Sequence, residues 1–429
     1  MSVVRVAERI RARELTPREA VEEYLERIEA NRHLNAYITV RAEEALAEAD
    51  AAPAGPLHGV PVAVKDVIDV AGTRTTAASK ILADNVAARD ATAVARLRAA
   101  GAIVLGKLNT HEFAYGATTT SPHFGAARNP HDPERIAGGS SGGSGVAAAA
   151  GLAAGTLGTD TAGSIRIPAC FCGVVGLRPT TGLVPTDGVF PTAWSLDTVG
   201  PIASTAEDCG LLLSAIADRP VRVSARGGLR IGLVTPLLDR ADPRIASLVE
   251  EAAAELGDVE RVEPLLLEEA LTINSLIMLP EATTIHLRWL RTRLGDYGAD
   301  VRARLLAGLL LPATAYPTGL RGRRWYLREL RSVLDRYDLL AAPAMPTVAP
   351  RLDADVLAYR RALVPFNSPW SLAGLPAASV PCGSVDDLPV GLALIGRPFE
   401  EETVLGAAHA IDAAPRQVVY KAQSVAKGV

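Results

Sequence analysis

Gly138-Gly-Ser-Ser-Gly-Gly-Ser-Gly145, an alanine-rich run from Val146 to Ala154, and Gly158-Thr-Asp-Thr-Ala-Gly-Ser-Ile-Arg-Ile-Pro168 form the stretch on which the fold reading turns. Glycine and serine at this density usually mark a flexible linker. Here they run directly into apolar sequence, Cys170 to Leu177. Small residues over such a length point instead to backbone packed closely around a site.

Three chemistries could use such a loop. A phosphate-binding loop needs GxxxxGK[ST], but Gly145 is followed by Val146 and a run of alanines. Gly138-Gly-Ser140-Ser-Gly142 satisfies GxSxG literally. That motif requires a strand before its serine, and Asn129-Pro-His-Asp-Pro-Glu-Arg135 is polar and broken by proline. The third chemistry is acyl transfer by serine with lysine as the base. Burial disfavours the ammonium form, so a lysine ending an apolar strand can lose its proton near neutral pH. Lys65, directly after Val60-Pro-Val-Ala-Val64, has that setting. An ion pair with Asp66 or Asp69 is its other reading.

Outward from this stretch, strands and helices alternate. Thr16-Pro17-Arg18-Glu19 reads as a capping box with proline at the first helical position, and Val21, Tyr24, Leu25 and Ile28 follow at helical spacing. From there to residue 57 the sequence reads as helical and polar. Val60 to Val64 reads as a buried strand, Asp90 to Ala100 as a helix closed by Gly101, and Ala102 to Leu105 as a strand. Leu229 to Val234 reads as another strand, and Asp242-Pro243 starts a helix that Gly257 ends. This order predicts an α/β fold with a mixed or mostly parallel sheet.

Composition narrows the function classes. A chain of 429 residues ordinarily suggests about three domains. Its 44 basic and 48 acidic residues leave a charge of −4, without the basic footprint of a nucleic-acid binder. The best candidate for a membrane span, Leu305 to Leu311, is too short and ends at Pro312, and the charged N-terminus is no secretory signal. Four cysteines make no disulfide framework, and Cys170 and Cys172 read as core residues. The histidines show no metal-binding spacing; His123, His131 and His286 read as loop or helix-surface residues. The expectation is a cytoplasmic enzyme without metal or cofactor.

Lys65 in Gly59-Val-Pro-Val-Ala-Val-Lys-Asp66, the Gly-Gly-Ser-Ser-Gly-Gly-Ser loop and Gly158 to Ala169 together resemble the amidase signature family. Glu112 to Gly116, Gly173 to Thr180, Ser195 to Pro201, Gly374 to Gly383 and Leu388 to Arg397 are similar to further family segments, in the family's order. The resemblance implies a large mixed β-sheet flanked by many helices, in one domain over 1–429. A signature core would span 57–210, and a variable helical region at 270–340 would cover the pocket. It implies Ser164 as nucleophile, Ser140 as bridging proton relay on a cis peptide and Lys65 as general base. The backbone N–H groups of Thr161, Ala162, Gly163 and Ser164 would form the oxyanion hole. Ala162 stands where the family often has glycine, which fits if its φ is not positive. Tyr115, Thr118, Thr119 and Gly139 are implied to contact substrate. Asp160 and Arg166 read as a buried pair that shapes the nucleophile loop.

The preferred expectation is an amidase cleaving a C–N bond of a small amide or urea-like substrate. It would need no nucleic acid, no membrane and no partner beyond a homodimer. The alternatives are the glutaminase (A) subunit of a tRNA-dependent amidotransferase and a non-catalytic binding protein on the same fold. The Pro346 to Pro369 stretch lacks a recognisable counterpart of the family's glutamine-binding stretch, which favours the first. Arg321, Arg323 and Arg324 could meet an anionic substrate, but read first as a solvated helix face.

Overall fold

The computed structural model describes residues 2–217, 219–263 and 266–413. Its centre is a sheet of eleven strands. In chain order these are β1 (Tyr37–Val40), β2 (Pro61–Lys65), β3 (Ile103–Leu108), β4 (Gly155–Asp160), β5 (Val175–Arg178) and β6 (Thr198–Ala203), then β7 (Leu229–Val234), β8 (Gly257–Val262), β9 (Leu339–Pro343), β10 (Ala377–Val385) and β11 (Leu388–Ile395). The spatial order is β1-β3-β2-β4-β6-β5-β10-β11-β9-β7-β8. Strands β3, β2 and β4 run parallel, as do β9, β7 and β8, whereas the neighbours β4-β6-β5-β10-β11-β9 are joined through antiparallel pairs. The sheet is therefore mixed, and the fold is α/β as expected.

Every residue of β2, β3 and β4 is buried. Strands covered on both faces carry near-continuous apolar or small residues, which is why Val60 to Val64 is legible as a strand from its sequence. Helices cover the sheet. α1 (Pro17–Ala30) begins with the predicted capping box, in which Thr16 Oγ1 accepts from Glu19 N and Glu19 accepts from Thr16 N at 2.8 Å. Among the helices further along the chain are α2 (Thr92–Ala99), α3 (Gly142–Ala149), α4 (Arg166–Cys172) and α5 (Pro243–Leu256). α6 (Leu267–Thr292), α7 (Ala299–Leu309) and α8 (Ala315–Leu334) pack together on one side. No helix among the described residues is long and apolar enough to cross a membrane.

Three local readings change. The segment before residue 57 is not uniformly helical, because Tyr37-Ile-Thr-Val40 forms edge strand β1, antiparallel to β3. Its β-branched and aromatic residues suit a pleated surface. Strand β3 also continues past Leu105 to Leu108, taking Lys107 into the core. Lys107 tolerates this because its Nζ lies 2.9 Å from Asp66, an ion pair with both side chains fully buried. His286 departs too: it is buried, with its ring 4.4 Å from that of Phe113 and its Nδ1 3.0 Å from the Tyr297 hydroxyl. Burial pushes its pKa down to about 4, so it packs as a neutral aromatic in α6.

Loss of the α1 cap should be felt in global stability. Thr16→Ala is expected to lower the unfolding free energy by about 1 kcal/mol, read as a lower urea midpoint at unchanged slope.

Candidate active site

Three buried segments converge at one end of β2 and β4. Lys65 is the last residue of β2 and has no solvent exposure. Its Nζ donates to Ser140 Oγ at 2.7 Å and to Thr159 Oγ1 at 2.8 Å. Among the described residues it forms no ion pair; Asp66 instead serves Lys107 and accepts from the Thr76 amide at 3.0 Å. Burial without a carboxylate partner pulls the Lys65 pKa down to about 7, against weak opposition from Asp160 and Asp197.

Ser140 sits on the loop between Gly138 and α3, and the Gly139–Ser140 peptide is cis. Its carbonyl accepts from His111 N at 3.1 Å, Thr110 Oγ1 at 2.9 Å and Thr119 Oγ1 at 3.2 Å. Thr119 also accepts from Gly142 N at 3.0 Å. Thr118 contacts His111 and Thr120 through its hydroxyl, at 3.3 and 2.8 Å. Thr118 and Thr119 are thus buried behind the loop, whereas Tyr115 and Gly139 line the cavity.

Ser164 lies between β4 and α4, where the chain must turn tightly. Gly163 has a φ of +117°, and a Cβ there would come within 2.6 Å of the Asn367 side chain. Only glycine suits both demands. Ala162 is absent from the positive-φ residues, so the alanine is accommodated. The loop is pinned by Asp160, whose carboxylate accepts from Gly163 N at 2.8 Å, Ile165 N at 3.2 Å, Arg166 Nε at 3.1 Å and Arg178 Nη1 at 3.2 Å. Burial alone would raise the Asp160 pKa, but Arg166 and Arg178 hold it well below the usual carboxylate range. The pair expected from the sequence is therefore a triad with Arg178.

That arrangement divides the expected oxyanion donors. The Gly163 N–H already points at Asp160, while those of Ala162 and Ser164 donate to no described protein atom. Thr161 donates its hydroxyl to Asp197 Oδ1 at 2.5 Å, and Asp197 accepts from Thr192 N and Ala193 N at 2.8 and 3.0 Å. Burial raises the Asp197 pKa to about 6 despite these bonds.

Ser164 opens onto a narrow cleft with a volume of about 40 Å³. Tyr115, Gly139, Thr161 and Ala162 share its wall with Met278 of α6 and Arg304 of α7. Of the three arginines on α8, Arg321 and Arg324 face solvent, whereas Arg323 turns inward and donates to the Ser195 carbonyl at 3.1 Å. Sequence reasoning missed Thr159, Asp197 and Arg304. Thr159 carried a usable signal, since it lies on β4 beside β2, between Gly158 and Asp160 of the small-residue stretch.

Comparison with known proteins agrees with this architecture. The family model described as Amidase matches residues 19–405. The A subunit of Glutamyl-tRNA(Gln) amidotransferase from Moorella thermoacetica is 41% identical, covering 93% of this chain and 93% of its own. Its counterpart from Archaeoglobus fulgidus is 40% identical over 90% of this chain and 93% of its own. Among solved structures, one chain comes from a vestigial protein complex described as revealing the evolutionary origins of an s-triazine catabolic enzyme. It superposes with a TM-score of 0.93 at 36% identity, covering 98% of this chain and 100% of that one. These findings overturn the expectation of an enzyme that needs only a small amide, at most pairs with itself and has no link to nucleic acid. Relatives matched over nine-tenths of their length are subunits of a larger assembly whose name includes tRNA. Such partners leave no mark in net charge, because a catalytic subunit need not itself present a basic surface. The match over most of its length places this chain in the amidase signature family, whose members hydrolyse C–N bonds.

Proposed function

We propose that this chain is the amide-hydrolysing, A-type subunit of a multi-subunit amidotransferase, releasing ammonia from glutamine through an acyl-enzyme on Ser164. The observation that carries the chemistry is the 2.7 Å bond between a buried Lys65 and Ser140. The placement in a larger assembly rests on the 41% identity to the A subunit of Glutamyl-tRNA(Gln) amidotransferase over 93% of both chains.

In the proposed cycle neutral Lys65 accepts the Ser140 proton as Ser140 takes that of Ser164. Ser164 Oγ then attacks the amide carbon. The oxygen that becomes negative meets backbone N–H groups of the Thr161 to Ser164 turn, of which that of Gly163 is already engaged by Asp160. As the C–N bond breaks, the proton returns through Ser140 to the nitrogen, and ammonia leaves. Water attacks the acyl-serine along the same relay, giving the carboxylic acid and restoring Ser164. Asp160, Arg166 and Arg178 hold the turn, and Asp197 holds Thr161.

A second reading is favoured by one feature of the cavity. Among the described residues lining it, none is acidic. The α-ammonium of glutamine would therefore meet no carboxylate there. Cleavage of a related amide without that ammonium, within a similar assembly, is the competing function. Steady-state ammonia release from glutamine and from glutaramate, its deaminated analogue, separates the two. Higher kcat/KM for glutamine supports the first and the reverse supports the second.

Ser164→Ala is expected to lower ammonia release at least about 1,000-fold, and a rate within tenfold of the parent would refute the nucleophile. The proton balance also sets a pH profile. Protonated Lys65 cannot act as base, and its neutral fraction falls about tenfold for each pH unit below its pKa. The rate should therefore rise with pH and level off above about 7. In Lys65→Ala that inflection should vanish and the rate should drop by about 100-fold or more. Affinity purification of the chain expressed among its native proteins should recover stoichiometric partner subunits; recovery of the chain alone would oppose the subunit reading.

A further inference from the structure

His111 stands between the relay serine and the helices that cover the cavity. Its main-chain N–H donates to the Ser140 carbonyl at 3.1 Å, beside the Thr110 hydroxyl at 2.9 Å. Its ring reaches other elements. Nε2 lies 2.9 Å from Asp300 Oδ2 in the first turn of α7, and Nδ1 lies 3.3 Å from Thr118 Oγ1. The ring is buried, and a Cβ on Gly116 would run into it, so the chain reserves that space for the imidazole.

The protons in these bonds follow from the partners. Burial alone would raise the Asp300 pKa, but His111 and Arg304 hold it well below the usual carboxylate range, so Asp300 can only accept. Nε2 of His111 therefore carries the hydrogen. Burial lowers the His111 pKa, which leaves Nδ1 bare to accept from the Thr118 hydroxyl. Thr118 then accepts from Thr120 at 2.8 Å. One tautomer serves all four side chains.

The next residue grips the same helix. Glu112 accepts from Gly298 N, just before α7, at 2.8 Å, and from Ser79 Oγ at 2.7 Å. Asp300 also accepts from Arg304 Nη2 at 2.6 Å, and Arg304 lines the Ser164 cleft. A continuous series of bonds thus runs from the Ser140 carbonyl through His111 and Asp300 to the α7 wall. The cleft is narrow, so a small shift of that wall changes how an amide carbonyl meets Ser164.

We propose that His111 is a positioning residue for amide cleavage, holding the α7 wall of the cleft in register with the relay of Ser140 and Ser164. It acts through Asp300 and takes no part in the proton transfers. The proposal rests on the amide-hydrolase reading of Ser164. Loss of the ring should leave the relay intact, because the main-chain N–H of residue 111 and the hydroxyls of Thr110 and Thr119 still hold Ser140. An amide that fills the cleft should suffer, whereas a reagent too small to reach the wall should not.

The test compares two rates in the purified protein with any partners that accompany it. One is kcat/KM for whichever of glutamine and glutaramate is cleaved faster. The other is modification of Ser164 by methanesulfonyl fluoride, a small reagent that sulfonylates serine with loss of fluoride. In His111→Ala and in Asp300→Ala the first should fall about tenfold or more, the scale of a hydrogen bond to a charged group, while the second stays within about threefold. His111→Gln, whose amide nitrogen can still donate to Asp300, should recover most of the loss. In the Asp300→Ala background, His111→Ala should add nothing further, since the bond is already gone. Amide cleavage and sulfonylation falling together would overturn the proposal, by marking His111 as a support for the Ser140 loop alone. Unchanged amide cleavage in both single variants, or a full further loss in the double variant, would overturn it too. If wild type cleaves neither amide and Ser164 resists sulfonylation, the hydrolase reading itself fails. Asp300 is partly exposed, so Asp300→Ala carries the comparison if the His111 variants misfold.

Discussion

The bonds from Lys65 Nζ to Ser140 Oγ and Thr159 Oγ1 constrain the rest of the site. An amine without solvent or a carboxylate partner is stable only if its neutral form is accessible or its N–H groups are satisfied by neutral acceptors. Two hydroxyls supply this. The contrast with Lys107 is direct, since that equally buried lysine has Asp66 at 2.9 Å. Burial lowers the pKa of both lysines, but Lys107 has a carboxylate beside it that opposes the shift. Strand β2 has to be buried on both faces for this to hold, and the parallel neighbours β3 and β4 bury it.

A second constraint lies under Ser164. Asp160 gathers Arg166, Arg178 and the amides of Gly163 and Ile165, and so fixes the turn that carries the nucleophile. Removing one partner from such a buried ionic cluster would leave an uncompensated charge, which is far more costly than removing the whole set. The cluster also explains how distant parts of the chain meet at the site: Arg166 Nη2 donates to Ser371 Oγ at 2.7 Å, tying the segment before β10 to the segment after β4. The cover is built differently. Met278 and Arg304 come from α6 and α7, so the cavity wall opposite the catalytic loop is set by helices rather than by the sheet.

Much of this was legible in the sequence. The buried strands were readable because Val60 to Val64 and Leu229 to Val234 are largely apolar, and the cap at Thr16 because its chemistry is local. Lys65 stands out as a lysine that ends an apolar strand, whereas Ser140 and Ser164 are singled out only by the resemblance to the amidase signature family. The structure brings Lys65 and Ser140 into contact and places Ser164 at the cavity. The burial of Lys107 and His286 was not legible, because each depends on partners distant in the chain, Asp66 for one and the Phe113 ring for the other. Arg304 escaped for the same reason: its place in the cavity wall depends on which helix face meets Tyr115, and α7 has only Val301 and Leu305 as its buried residues. The partner subunits of the relatives had no counterpart in composition at all.

The relay depends on the charge state of Lys65, and that charge can be measured directly. The lysines of this chain are Lys65, Lys80, Lys107, Lys421 and Lys427, so selective 13C labelling at lysine Cε gives few resonances, assignable by substitution. Titrated in the intact protein, the Lys65 resonance should move with a midpoint near 7. A Lys65 signal that stays in the ammonium position through pH 9 would contradict a lysine base.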